Sequence, residues 1–123
     1  MKIRVMDISD YEEVYALWMS SKNMGFNNLD DSKEGIKKFL QRNPSTSFVA
    51  VEDKEIIGVV LAGHDGRRGY IYHMFVKEPY RKQKVGTKLL EECLAALKKE
   101  GIHSVAVGYK QKRNTSQTNA HVL

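Results

Sequence analysis

The hydrophobic period changes once in the second half of the chain, on either side of Pro79, and that change restricts what the chain can fold into. Before it lie three β-branched, apolar runs: Ser47 to Glu52, Glu55 to Gly63, and Tyr70 to Val76. After it, from Lys84 to Glu100, Val85, Leu89, Cys93, Leu94 and Leu97 recur at helical spacing. Lys88, Glu91, Glu92, Lys98 and Lys99 fall mostly on the wet side of that helix. Asp53-Lys54 and His64 to Gly69 (HDGRRG) are short connections, so the three runs read as an antiparallel meander. Gly101 suits the position just past a helix end, and Ser104 to Val107 (SVAV) is a last short strand.

Upstream, Lys2 to Asp7 alternates apolar and polar residues and reads as a strand. Ser9 or Asp10 is placed to cap a helix that buries Val14, Leu17 and Trp18. Asn23 to Asp31 is a turn-rich loop. Ser32 then caps a short helix carrying Ile36, Phe39 and Leu40, which Asn43-Pro44 ends. The order β-α-α-β-β-β-α-β predicts an α/β (α+β) domain with a mostly antiparallel sheet flanked by helices. A chain of 123 residues is sized for one core. The domain is expected over 1–107. Residues 108–123 are polar and without period, and read as a loop, a disordered end, or a segment exchanged between chains.

The apolar share of 41% and charged share of 28% are those of a water-soluble domain. MKIRVMD lacks the apolar core of a signal peptide, and no run approaches the roughly 18 apolar residues of a membrane span. A single cysteine, Cys93, excludes an internal disulfide and argues against structural zinc; a cytoplasmic location and no bound metal are expected.

The net charge of +5 is uneven. Lys110, Lys112 and Arg113 lie in the tail, which has no acidic residue, and leave the body about two charges positive. That balance does not favour a nucleic-acid-binding face. The basic density that remains is local, from Lys77 to Lys88, and suits a partner with a few phosphates. There a strand ends, Pro79 stops its ladder, and a helix begins. The first turn of a helix offers unpaired amides and the positive end of the dipole. Arg81, Lys82, Lys84 and Lys88 add charge, Thr87 a hydroxyl, and Gly86 room for close approach. Composition leaves two readings open: a solvated basic face, or a diphosphate site. Basic loop residues are more often a solvated face; lysines in a first turn oppose the dipole unless an anion is bound, which is a mild argument for the second.

The stretch Arg81-Lys82-Gln83-Lys84-Val85-Gly86 resembles the acetyl-coenzyme A-binding motif of the GCN5-related N-acetyltransferases, Arg/Gln-x-x-Gly-x-Gly/Ala. The lead-in VKEPYR, the helix TKLLEECLAALKKEGI and the meander VAVEDKEIIGVVLAG are similar to that family as well, so the resemblance runs from Lys2 to Val107. It implies an acyl-CoA N-acyltransferase fold that uses acetyl-CoA as donor and a small-molecule or peptide amine as acceptor. It also implies roles for individual residues. Backbone groups of Phe75 and Val76 would pair with the pantetheine arm. Backbone amides of Arg81, Lys82, Gln83, Lys84, Val85, Gly86 and Thr87 would hold the pyrophosphate. The thioester would lie near Met74 to Val76.

Three positions depart from the family pattern. Lys84 replaces the motif's first glycine; a helical backbone there would tolerate lysine, a left-handed one would not, and the helical one is expected. The glutamate on the family's fourth strand that often serves as base corresponds to Tyr72, followed by His73, and these two are the catalytic candidates. Histidine exchanges protons near neutral pH, although a strand histidine is more often structural. Finally, the family's C-terminal helix and closing strands have no counterpart in the periodicity after Val107, so a C-terminally truncated fold is expected, and no catalytic acid is carried over. An uncovered sheet edge there would favour a homodimer or a higher homo-oligomer. The alternatives are a coenzyme A-binding domain of impaired catalysis and, more distantly, a small basic nucleic-acid-binding protein. Asp30 and Asp31 read as solvated loop acids, with attraction of a cationic amine as the second reading.

Overall fold

A computed structural model describes residues 1–20, 31–107 and 120–122. Its strands are β1 (Lys2–Val5), β2 (Phe48–Glu52), β3 (Glu55–His64), β4 (Arg68–Val76), β5 (Ser104–Val107) and β6 (Ala120–Val122). Its helices are α1 (Tyr11–Met19), α2 (Lys33–Arg42) and α3 (Val85–Lys99), with 3-10 turns at Ile8–Asp10 and Glu78–Gln83. The six strands form one sheet in chain order, β1-β2-β3-β4-β5-β6. All neighbours are antiparallel except β4 and β5, the pair that α3 joins. The crossover needs a helix because parallel neighbours cannot be joined by a tight turn.

The sheet carries a core on each face. On one side α3 lays Val85, Leu89, Cys93 and Leu97 over Ala50, Ile57, Val60, Ala62 and Ile71. On the other, α1 and α2 lay Val14, Leu17, Trp18, Ile36 and Leu40 over Val49, Val59, Leu61 and Phe75. Successive residues of β3 therefore serve different helices, apart from a bulge at Ile57 that shifts the alternation, which is why its whole length reads as apolar. Gly58 allows α3 close to β3: a Cβ there would stand 3.1 Å from a Leu89 methyl.

Several local devices differ from expectation. Asp7, not Ser9 or Asp10, makes the first cap: its carboxylate accepts from the Ser9 amide at 2.9 Å, and Asp10 reaches back to the Asp7 amide at 2.9 Å. Asp10 also takes both Arg4 guanidinium nitrogens at 2.9 Å. Ser32 caps α2 as expected, accepting from the Gly35 amide at 3.1 Å. Asp53 and Lys54 both have positive φ, 50° and 67°, as a tight two-residue hairpin requires. At the far end of α3, Gly101 (φ 87°) donates to Lys98 and Ile102 to Leu97, the paired bonds of a glycine-terminated helix.

The tail also differs from its reading as a loop. Ala120–Val122 form β6, antiparallel to β5, in register with Ser104 to Ala106. Three residues are too short a run to show a period, so pairing with β5, not local pattern, makes this strand.

Candidate functional site

The site begins at an irregularity in β4. Leu61 pairs with His73 and Ala62 with Ile71, so Tyr72 is an extra residue, a β-bulge. The parallel pairing of β4 with β5 runs from Arg68 to Ile71, immediately before the bulge. Beyond Ile71, no strand among the described residues pairs with that edge of β4. The bulge thus marks where the two parallel strands part.

Strand alternation decides which backbone groups face the gap. The Lys77 amide donates to the Ile57 carbonyl at 2.8 Å, so 77 and 57 are a hydrogen-bonded pair. Two residues back, Phe75 and Val59 are then a hydrogen-bonded pair as well, and Met74 and Val76 turn their amides and carbonyls to the open side. Of the two residues expected to offer backbone groups to an extended ligand, Val76 turns its groups to the open side, as Met74 does, and Phe75 turns its groups to β3. The sequence shows alternation but not its phase, and only the register resolves it.

One of these groups is already engaged. The Arg81 Nε donates to the Val76 carbonyl at 2.7 Å, and its guanidinium lies 5.1 Å from the Phe75 ring centre. Arg81 therefore folds back over the strand end and does not point out from the helix turn.

The turn itself is narrower than expected. Arg81, Lys82 and Gln83 lie within the 3-10 turn Glu78–Gln83, where each amide bonds three residues back. The first α3 bond is Lys88 amide to Lys84 carbonyl, 3.1 Å. This leaves Val85, Gly86 and Thr87 as the first-turn amides without intrahelical acceptors, and Lys84 caps none of them with its side chain. Lys82, Lys84, Thr87 and Lys88 are exposed around that turn, and among the described residues none of the three lysines is in a salt bridge.

Lys84 has φ 63° and ψ 22°, the left-handed region, and not the helical backbone expected for it. The chain must pass from a 3-10 turn into α3 within one residue, and that residue takes the dihedral that glycine holds most easily. Gly86 has the opposite character. A Cβ there would meet Met74 Cε and Val76 Cγ2 at 3.7 Å, ordinary contacts. The same distances place the turn against the side chains of Met74 and Val76, at the end of β4.

On the face of α1 and α2, the bulge presents Tyr72 and His73. Tyr72 is 42% exposed, stacked edge-on against Tyr70 (4.5 Å) and Phe39 (5.2 Å). Burial, then the charges of Tyr70 and Asp65, hold its phenol above the ordinary value, so at neutral pH it keeps its proton. His73 is largely buried: its Nε2 lies 3.0 Å from Asp31 Oδ1 and its ring is edge-on to Trp18 at 5.2 Å. Asp31 is 5% exposed, not the solvated acid expected. Asp30 lies outside the described residues. Nothing in the local sequence pairs Asp31 with His73, which lie 42 positions apart.

Among the described residues no cluster of His, Cys, Asp and Glu is able to hold a metal, and no helix is long and apolar enough to cross a membrane.

A model of the acetyltransferase (GNAT) family matches residues 11–121. Acetyltransferase SG1711 of Sodalis glossinidius is 31% identical over 90 residues, covering 73% of this chain and 62% of that relative's length. The chain thus spans less than two thirds of this relative. Among solved structures, Ard1 from Thermoplasma volcanium superposes with a TM-score of 0.74 at 20% identity, over 86% of this chain and 69% of that one. The PaiA N-acetyltransferase from Thermoplasma acidophilum, solved in complex with coenzyme A, gives 0.74 at 22% identity, over 92% and 80%. At these identities the superpositions speak to the fold.

Proposed function

Because the chain belongs to the GNAT acetyltransferase family, we propose that it transfers the acetyl group of acetyl-CoA to a primary amine by direct attack. The observation that carries this reading is the junction of two sets of backbone groups that no neighbouring strand or helix turn pairs. The free amides of Val85, Gly86 and Thr87 lie at the end of β4, where Gly86 stands beside the side chains of Met74 and Val76 and the backbone of those two residues faces the open edge. A pyrophosphate suits the first set, because unpaired amides and the helix dipole both favour an anion. An extended amide-bearing arm suits the second, as an added strand does. Lys82, Lys84 and Lys88 surround the turn with positive charge, and Arg81 braces the strand end.

The donor supplies an activated thioester carbonyl; the amine nitrogen bonds to it, the carbon–sulfur bond breaks, and coenzyme A leaves with the electron pair. The residues of this chain hold the donor along β4 and leave the α1/α2 face for the acceptor, where Tyr72, Tyr70 and Phe39 offer aromatic walls. Cytoplasmic residence and a small-molecule or peptide amine as acceptor belong to the same proposal. So does a homodimer. With β6 already on β5, the simplest dimer exchanges that strand between copies, and a monomeric mass in light scattering at micromolar concentration overturns it.

Calorimetric titration with acetyl-CoA, with dephospho-coenzyme A for comparison, tests the site. Saturable micromolar binding is expected, followed by release of free thiol with some member of an amine panel. Binding without turnover of any amine would identify a coenzyme A-binding domain. No binding at millimolar donor, with salt-sensitive binding to RNA or DNA, would identify the nucleic-acid reading instead.

A further inference from the structure

We propose that Asp31 is a positioning residue that presents His73 as the proton acceptor for the incoming amine; the proposal rests on the acyl-transfer reading above. Asp31 is 5% exposed, and a carboxylate that deep is costly unless it is paired. It lies 3.0 Å from His73 Nε2. Its backbone is held as well, because the Tyr11 hydroxyl donates to the Asp31 carbonyl oxygen at 2.8 Å. The carboxylate is thus anchored from α1 and directed at β4.

Such a contact selects one tautomer. With a carboxylate on Nε2 the proton stays on that nitrogen, and the lone pair of the neutral ring lies on Nδ1. Nδ1 has no hydrogen-bond partner among the described residues. The ring is 15% exposed, and Trp18 packs against its edge at 5.2 Å. Trp18 Nε1 is itself buried without a partner. Polar atoms buried in this way are rare in folded proteins and point to a group that arrives from outside, a water or a ligand atom. The ring that carries this orphan donor packs edge-on against the imidazole whose Nδ1 holds the free lone pair.

The place suits the chemistry. His73 follows the bulged Tyr72, where β4 leaves β5, and faces α1 and α2. Met74 and Val76 hold the donor's edge of the same strand. An amine reaching the thioester from the α1/α2 face therefore passes His73. Nδ1 takes the proton that the amine gives up as the carbon–nitrogen bond forms and the carbon–sulfur bond breaks. Asp31 balances the charge of the resulting imidazolium, which returns its proton to solvent after release.

Two measurements on the full chain test this. Long-range proton–nitrogen NMR of the imidazole reads the tautomer directly: the Nε2–H form is expected for the wild type and a mixture for Asp31→Asn. A predominant Nδ1–H form overturns the proposal. In steady-state assays with the best amine found, Asp31→Asn is expected to lower kcat about a hundredfold with acetyl-CoA affinity and melting temperature nearly unchanged. His73→Gln, which keeps a hydrogen-bonding amide beside Asp31, is expected to fall at least as far. Full turnover in either variant overturns the assignment and leaves the acyl-transfer reading intact. A wild-type chain that binds acetyl-CoA and acetylates no amine overturns both.

Discussion

At the scale of single residues, two positions carry stored cost or stored stability. Lys84 occupies the left-handed region, where an L side chain is disfavoured by roughly 1–2 kcal/mol. Lys84→Gly is therefore expected to raise stability by about 1 kcal/mol in urea unfolding, the strain relieved being partly offset by the flexibility glycine adds to the unfolded chain. Asp10 stores stability. Burial pushes its carboxyl up, but the Arg4 guanidinium and the Asp7 amide outweigh burial and hold it below the usual carboxylate range. A depressed folded value contributes stability that is complete above the unfolded pKa of about 3.9 and lost as pH falls through the folded one. Asp10→Asn should thus cost roughly 1–3 kcal/mol at pH 7, with the difference from wild type shrinking below about pH 4 in urea titrations.

At the scale of elements, the junction of β4 with α3 combines a bulge, an open edge and a helix start. Gly86→Ala separates its structural from its binding role. The added methyl finds only ordinary contacts at 3.7 Å and sits in a helix, where alanine is favoured over glycine by about 1 kcal/mol. The variant is expected to unfold at equal or higher urea concentration while its acetyl-CoA affinity drops severalfold in calorimetry. Unchanged affinity would show that the donor does not approach the backbone at this point. One turn further along the helix, Leu89 is fully buried against β3, and Leu89→Ala should cost about 2–5 kcal/mol in the same unfolding assay.

At the scale of the whole molecule, the sheet is continuous from β1 to β6, yet its parallel pair separates on one edge. A ligand spanning the helix turn and the β4 edge would tie α3 to the sheet and bind the folded state alone. Acetyl-CoA at a hundredfold excess over its Kd is then expected to add about 2.7 kcal/mol of stability, read as a rise in melting temperature. Raising the salt concentration should shrink that rise, because lysines around the turn supply part of the attraction.

The pattern of the chain alone was enough for the elements and their order. The meander Phe48 to Val76, the stripe Val85, Leu89, Cys93 and Leu97, and the caps Ser32 and Gly101 are local signals, written in neighbouring residues and read by period and turn chemistry. The strand-to-helix turn proposed to hold an anion was legible for the same reason: a strand, a proline, a glycine and a helix follow one another within a few positions. What depends on distant pairing was not legible. The bulge at Tyr72, the phase that opens Met74 and Val76 but closes Phe75, and the strand at Ala120–Val122 are set by register between segments. The dihedral of Lys84 is set by the path between two helices, and the contact of Asp31 with His73 by packing across 42 positions. Hydrophobic period records which side of an element is buried; it carries no record of what lies opposite, and that is decided only when the layers close.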